Sequence, residues 1–434
     1  MTAKKKILFV AMQMSTHTVR WVNQVSDQGW DVHLFPCNYL PVHPELRNVT
    51  VHQPWFVVRP RLLLKEIVLN PAILFGGFGK IEERLHPNGL PVRSIYPLPV
   101  ISRMIPYLNG IRRVSLGESE ATAPAAYGPG VLARLIRQLK PDLIHSLEFQ
   151  HCGYNVLRAK EIIGKDLPTW LATNWGSDIF YYRQFEKHRS QISRLLRNAD
   201  YYSCECERDV AMAKELGFSG TVMPVMPNTG GLDMALVSRL RDIHQPSRRR
   251  IIMVKGYQHF AGRALTALDA VEMCANDLKA FKIVVFSASP ETLSRVEELR
   301  TFLGLDIVIF NHAPHEAMLR MFSRARIYLG VSVSDAISTS MLEAVALGAF
   351  PIQTNTSCCN EWIKDGQSGF EIPVDDVHVI ADRLRKAALD DGLVDRAAAI
   401  NWETVQQRLD QSVLKQKAIQ FYNAIFEAGN RRCQ

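Results

Sequence analysis

Short runs of consecutive apolar residues recur along the chain, separated by stretches in which apolar positions return every three or four residues. The runs fall at 7–12, 31–36, 142–147, 169–174, 201–205 and 221–227, then at 251–256, 282–288, 307–311, 327–332, 350–355 and 369–373. Their apolar character is continuous rather than alternating, which predicts strands covered on both faces. Between them lie amphipathic helical patterns. Leu132, Leu135, Ile136 and Leu139 share one stripe, as do Val377, Ile380, Ala381, Leu384 and Ala388. Such stripes face a core. Strand and helix in alternation predict βαβ units and parallel sheets.

Two doubly wound halves meet around 228–250, where Pro227, Gly230, Gly231 and Pro246 precede or flank the run Arg248-Arg249-Arg250. That composition reads as a linker. The expected organisation is a first domain over 1–230, a second over 231–411, and a final helix in 412–434 packing back on the first domain. Residues 53–130 interrupt the pattern with Pro, Gly, aromatic and Arg residues and read as an elaboration of the first domain.

Length supports this division, since 434 residues exceed one ordinary core. A hydrophobic share of 47% with 22% charged residues is a globular balance. The net charge of +8 and pI near 9.0 suit anionic partners. Much of the excess sits at Arg59, Arg61, Lys65, Lys80, Arg84, Arg93, Arg103, Arg112 and Arg113. A solvated basic surface and a docking face for an anionic bilayer are both open readings of that stretch. The eight cysteines form no CxxC pair and read as free thiols in a reducing cytosol. The apolar run after Lys4-Lys5-Lys6 reads as a first strand rather than a signal peptide. No stretch reaches the roughly 20 apolar residues that span a bilayer.

The most informative segment is Ser332-Val333-Ser334-Asp335-Ala336-Ile337-Ser338-Thr339-Ser340-Met341-Leu342-Glu343-Ala344. It follows a buried strand and opens a helix, with Ser338 or Thr339 as N-cap and Ser340 in the first turn. A helix start offers unpaired N–H groups to a phosphate. Asp335 and Glu343 flank it, and a carboxylate can accept from two hydroxyls of a diol. Phosphate between two diols describes a nucleoside-diphosphate sugar.

This stretch resembles the E-x7-E region of retaining GT-B glycosyltransferases of family 4, with Asp335 in place of the first Glu. The run from Leu342 to Ile352 resembles the LEAMA-x-G-x-P-V/I signature of the same family. The resemblance implies an α/β chain of GT-B fold, two Rossmann-like parallel-sheet domains facing across a cleft. It implies that Asp335 reaches donor-sugar hydroxyls and Glu343 holds the nucleotide ribose. Lys255, ending one strand, and Arg263, opening the next helix, stand near the family's diphosphate-gripping Arg and Lys with the types exchanged. Asn311 and His312 fall at the turn that contacts the nucleobase.

The first domain is expected to supply the acceptor side. Thr16 and His17 lie in a polar loop after the first strand, where the family has a Gly-rich loop near the diphosphate. His17 serves equally as a capping or surface residue. The absence of GxGxxG there argues against a dinucleotide enzyme. Glu148 and His151 follow another strand and are expected to face the cleft, with His151 a catalytic candidate beside Lys255, Arg263 and Asp335. Asn174 stands where the family often has His; Asn cannot act as a base but can hydrogen-bond a sugar. Asp178 follows it and serves equally as a helix cap.

The resemblance thus implies a transferase moving sugar from a UDP- or GDP-linked donor to a glycan or lipid-linked acceptor. It implies retention, no metal and no cofactor, the nucleotide sugar being a substrate. Surface polysaccharide or lipopolysaccharide assembly on the cytoplasmic side, at or near the inner membrane face, is the implied setting. Two other readings stand beside it: a sugar-nucleotide epimerase of the same fold, and a non-catalytic nucleotide-sugar-binding protein. No nucleic-acid motif accompanies the basic charge.

Overall fold

The computed structural model describes residues 4–38, 42–54, 84–85, 91–95, 128–241, 244–311 and 313–432. Arg59, Arg61 and Lys65 of the basic stretch, with Trp55, Phe56, Leu62, Leu63, Leu64, Phe75 and Phe78, lie outside the described residues, as does His312.

Two sheets organise the chain. The first runs β4-β5-β3-β2-β1-β6-β7-β8-β9. Its strands are β1 (Lys6–Ala11), β2 (Asp31–Pro36), β3 (Thr50–Pro54), β4 (Arg84–Leu85), β5 (Pro91–Ile95), β6 (Leu143–Leu147), β7 (Thr169–Thr173), β8 (Tyr201–Ser203) and β9 (Thr221–Val222). All neighbours pair in parallel except β4 with β5. The stretch read as an interruption therefore contributes strands to this sheet. The runs at 201–205 and 221–227 form shorter strands than expected. After Ser203 the chain leaves the ladder to line the cleft.

The second sheet runs β12-β11-β10-β13-β14-β15, all parallel. Its strands are β10 (Ile251–Lys255), β11 (Lys282–Phe286), β12 (Ile307–Phe310), β13 (Ala325–Gly330), β14 (Phe350–Thr354) and β15 (Phe370–Ile372). Counted within the domain this is the order 3-2-1-4-5-6 of a Rossmann sheet. The continuous apolar runs are explained by packing on both faces. Ile252 and Val254 join one buried cluster, while Met253 between them joins another on the opposite side. Each such side chain contributes about 1.5–3 kcal/mol by leaving water.

Within the run at 248–250, Arg248 and Arg250 are exposed but the middle arginine turns inward. Arg249 is buried and donates to the carbonyls of Ala325 and Leu347, fastening the start of β10 to its neighbours. The chain crosses between the sheets at two adjacent places. Leu232 N–H donates to Leu409 O (2.7 Å) and Gln411 N–H donates to Leu232 O (3.0 Å). Gly231 makes this possible: its φ is +74° and a Cβ there would lie 2.5 Å from Leu409 O.

Beyond that crossing, the helix Gln411–Arg432 lies on the first sheet. Leu414, Phe421, Tyr422 and Ile425 share a buried cluster with Phe9, Trp21 and Val22. The Tyr422 hydroxyl accepts from Trp21 Nε1 (2.7 Å) and meets His145 Nδ1 (2.7 Å). No helix among the described residues is long and apolar enough to cross a membrane.

Tyr422→Phe keeps the ring but leaves the Trp21 N–H and the His145 nitrogen buried without partners. An unpaired buried polar group costs about 1–3 kcal/mol. The variant is expected to be less stable to urea by an amount in that range, read from the unfolding midpoint. An unchanged midpoint would show that the hydroxyl does not anchor the helix.

Candidate active site

The strand order of the second sheet reverses at β10, which has β11 on one side and β13 on the other. Loops leaving such a point in opposite directions open a crevice at the strand ends. Here a cavity of about 410 Å³ opens, and the first domain supplies its facing wall through Thr16, His17, Arg20, Trp175 and Gly176. It adjoins a wider lobe of about 1060 Å³ towards the two crossings, sharing Thr16, Arg20, Tyr257, Ser287, His315 and Met318 as walls.

Lys255, the last residue of β10, points into the smaller cavity. Its Nζ lies 3.8 Å from Asp335 Oδ2 and 3.5 Å from Ser338 Oγ. Burial works against its charge, but Tyr328, Asp335 and Tyr257 outweigh burial and hold its pKa above the ordinary lysine value. Burial raises the Asp335 carboxyl, with Lys255 opposing. The helix α1 (Thr339–Ala346) begins beside this pair. Ser338, its N-cap, makes no side-chain cap bond. Its hydroxyl is instead drawn to Tyr328 (3.1 Å) and Ser340 (3.2 Å). Thr339 and Ser340 line the cavity, so the N-terminal end of α1 faces it.

One turn into α1, Glu343 lines the same wall and is engaged from both domains. His315 Nε2 lies 2.7 Å from Glu343 Oε1, and Arg20 Nη1 of the first domain 3.6 Å from it. Arg20 Nη2 also reaches His315 Nε2 at 3.0 Å. That one nitrogen donates to Glu343 when protonated and accepts from Arg20 when not. His17 completes this side, its ring 5.5 Å from that of Trp175. Burial and then Arg20 lower its pKa to about 4, so the imidazole is neutral at neutral pH.

The first domain approaches the other acid closely. A Cβ on Gly176 would lie 2.5 Å from Asp335 Oδ1, so the Trp175-Gly176 turn seats on Asp335 only because it has no side chain there. Asp178 holds the turn, its Oδ2 accepting from the N–H groups of Trp175 (2.7 Å) and Phe149 (2.8 Å). Burial and then Glu148 push the Asp178 carboxyl well up. Asn174 is spent in a buried network: it donates to Asp209 Oδ2 (2.7 Å) and accepts from the Tyr202 hydroxyl (2.6 Å).

Several candidates are placed elsewhere. The Arg263 guanidinium folds onto the carbonyls of His259 and Gly262 (both 2.8 Å) and caps its own loop rather than lining the cavity. Glu148, at φ +84°, accepts from the N–H groups of Gln150, His151 and Cys152 and contacts His151 Nδ1 at 3.1 Å. Neither Glu148 nor His151 is a cavity wall. Asn311 brackets Ala288, accepting from its N–H (2.7 Å) and donating to its carbonyl (3.3 Å). It thereby supports the Ser287 turn, which does line the cavity.

Other wall residues were not singled out from sequence. Arg20 sits mid-helix on an amphipathic segment and carries no local signal. His315 follows Pro314 at a helix start. Glu205 had the signal used for Asn174, a polar residue at the end of a buried strand run. It is buried, accepts from Asn228 N–H (2.7 Å), and faces Asp335 and Asp209. Burial is the main force that raises its carboxyl to about 8. Beside it Cys206 meets Cys358 of the second domain thiol to thiol. That hydrogen bond and burial push Cys206 up and keep it a thiol. The described cysteines are all buried and free.

This geometry can be set against known proteins. Residues 246–401 match the family of glycosyl transferases group 1. No curated protein matches the chain significantly. Among solved structures, sucrose-phosphate synthase from Thermosynechococcus elongatus superposes at a TM-score of 0.66 with 14% identity, covering 98% of this chain and 100% of that one. Anabaena HepE in complex with UDP and glucose gives 0.63 and 13%, covering 97% and 100%. A TarM mutant from S. aureus, in complex with fondaparinux, alpha-GlcNAc-glycerol and UDP, gives 0.65 and 9%, covering 97% and 99%. The chain has the GT-B fold of glycosyltransferases. The family match lies within the second domain, from just before β10 to the helix Asp391–Arg408.

Glu205 has a testable signature in stability. Its folded pKa of about 8 stands above the ordinary 4.5, so the folded state holds a proton that the unfolded chain releases. Its contribution is fully present below 4.5 and lost as pH rises to about 8. Urea unfolding from pH 5 to 9 should show a steeper decline for wild type than for Glu205→Gln. Parallel curves would mean that the carboxyl ionises normally.

Proposed function

We propose that the protein is a glycosyltransferase that moves a sugar from a UDP- or GDP-linked donor to a glycan or lipid-linked acceptor, with retention and without a metal. The observation that carries this reading is the convergence of Lys255, the start of α1, Asp335 and Glu343 on one cavity within a group 1 domain. HepE and TarM, of like fold, are seen with UDP, which supports a uridine donor among the alternatives.

In this reading the ribose diol displaces His315 and Arg20 from Glu343, the diphosphate lies against the start of α1 and Lys255, and the sugar reaches Asp335. The glycosidic bond to phosphate breaks while the acceptor oxygen bonds the same face of the anomeric carbon. The acceptor proton passes to the departing diphosphate. Lys255 and the helix N–H groups stabilise the charge that grows there. Retention rests on the family resemblance. Closure of the seam over the bound donor would exclude water, which otherwise hydrolyses it.

A panel of UDP- and GDP-sugars incubated with purified protein tests the reading. Slow release of UDP or GDP from one donor, faster with acceptor, is expected; a donor converted to its epimer would favour the epimerase. Glu343→Ala is expected to weaken that nucleotide at least tenfold by calorimetry, since hydrogen bonds to a charged group contribute about 1.5–3 kcal/mol each. Unchanged affinity would remove Glu343 from the ribose site.

We further propose that residues 53–130 dock the enzyme on an anionic bilayer, where a lipid-linked acceptor resides. Basic side chains near such a surface contribute about 1 kcal/mol each. The protein should float with phosphatidylserine-containing liposomes at low salt, and less so with salt or with Arg59, Arg61 and Lys65 changed to Glu. A wild-type protein that stays in solution at low salt excludes docking by this segment.

A further inference from the structure

The transferase reading leaves one wall of the cavity without a task. Glu205 belongs to the first domain, two residues beyond β8, yet it lines the cavity that the second domain provides for the donor. Its residue is 8% exposed. Oε1 accepts the Asn228 N–H, and among the described residues the carboxyl makes no other hydrogen bond. Oε2 is nevertheless not among the polar atoms sealed away from solvent without a partner. It therefore opens on the cavity. A buried carboxyl with one oxygen fixed and the other facing a ligand space is positioned to receive a polar group.

Its neighbours say which part of the donor arrives there. Asp335 lies close enough to act on the Glu205 charge and is pressed against Gly176, another wall residue of the first domain. Glu343, on the ribose side of the same reading, is held by His315 and Arg20 instead. Glu205 is thus at the sugar end.

We propose that Glu205 is the first domain's contact to the transferred sugar, its free carboxyl oxygen sharing a hydrogen bond with a sugar hydroxyl opposite Asp335. The proposal rests on the donor reading given above. A neutral carboxyl donates as well as accepts, so it satisfies a hydroxyl without adding a third negative charge beside an anionic donor. The charged groups that bear on it are Asp335, with Lys255 paired to it, and Asp209, with Arg208 paired to it. Because this contact comes from the first domain, it forms only when the seam is closed, which ties recognition of the sugar to closure.

The test is calorimetry with UDP-glucose and UDP, or GDP-mannose and GDP should guanine be the base that the panel selects. Wild type, Glu205→Gln and Glu205→Ala are compared at pH 7, with thermal melts confirming that each folds. Gln supplies a neutral donor and acceptor of the same length. The expected result is a nucleotide affinity equal in all three, and nucleotide-sugar affinity about three- to tenfold weaker in the Ala variant only. In wild type the sugar-dependent part should fade as pH passes through about 8, and in Glu205→Gln it should not. Equal weakening of nucleotide and nucleotide sugar, or none, overturns the proposal by reducing Glu205 to a structural residue. If wild type binds neither pair, the donor reading itself fails, which the UDP and GDP arms report independently of Glu205.

Discussion

Arg208 holds the two domains at the spacing on which the cavity depends. It lies on the helix Glu207–Glu215 of the first domain, and its Nη1 and Nη2 donate to the carbonyls of Thr356 (2.7 Å) and Asp335 (2.9 Å) in the second. Asp209, fully buried, accepts from its Nε at 3.0 Å, and the Phe180 ring lies 4.0 Å below its guanidinium. A planar guanidinium offers donors in a fixed fork, so it sets direction as well as distance. Because it grips the main chain of Asp335, that carboxyl is presented to Lys255 and Gly176 at a defined place. Asp209 also accepts from Asn174, which carries the Trp175-Gly176 turn. One part-buried ion pair thus fixes both lips of the crevice.

Charge inside the crevice is balanced locally. Asp335 faces Lys255, Glu343 faces His315 and Arg20, and Glu205 is neutralised by its own proton near neutral pH. Three acids therefore surround one space with each charge offset beside it. Two of these arrangements cross the seam, since Arg20 and Glu205 come from the first domain. The contact of Arg20 with Glu343 and the place of Glu205 in the wall both depend on the two domains meeting at this seam.

Much of this was legible in the residue pattern. Continuous apolar runs marked strands of both sheets, because a strand packed on both faces has no polar side to show. The spacing of Asp335 and Glu343 around a helix start placed both on one cavity wall, because strand, turn and helix in immediate succession leave little freedom. Lys255 was found for the same reason, as the last residue of a strand. Arg263 and Glu148 escaped it. Each sits in a turn whose carbonyls or N–H groups are left without ladder partners, and the nearest charged side chain satisfies them rather than a distant ligand.

The local order of strands, the helix start and the acids beside it were determined by the sequence itself, since they depend on contacts within a few turns of chain. Which charges meet was decided only by the tertiary structure. Arg20 reaches His315 across 295 positions, and Arg208 reaches Asp335 across 127. No periodicity or motif encodes such a meeting. It follows from two sheets set against each other across a pair of crossings at Gly231 and Asp410, where backbone geometry and burial, not local propensity, choose the partner.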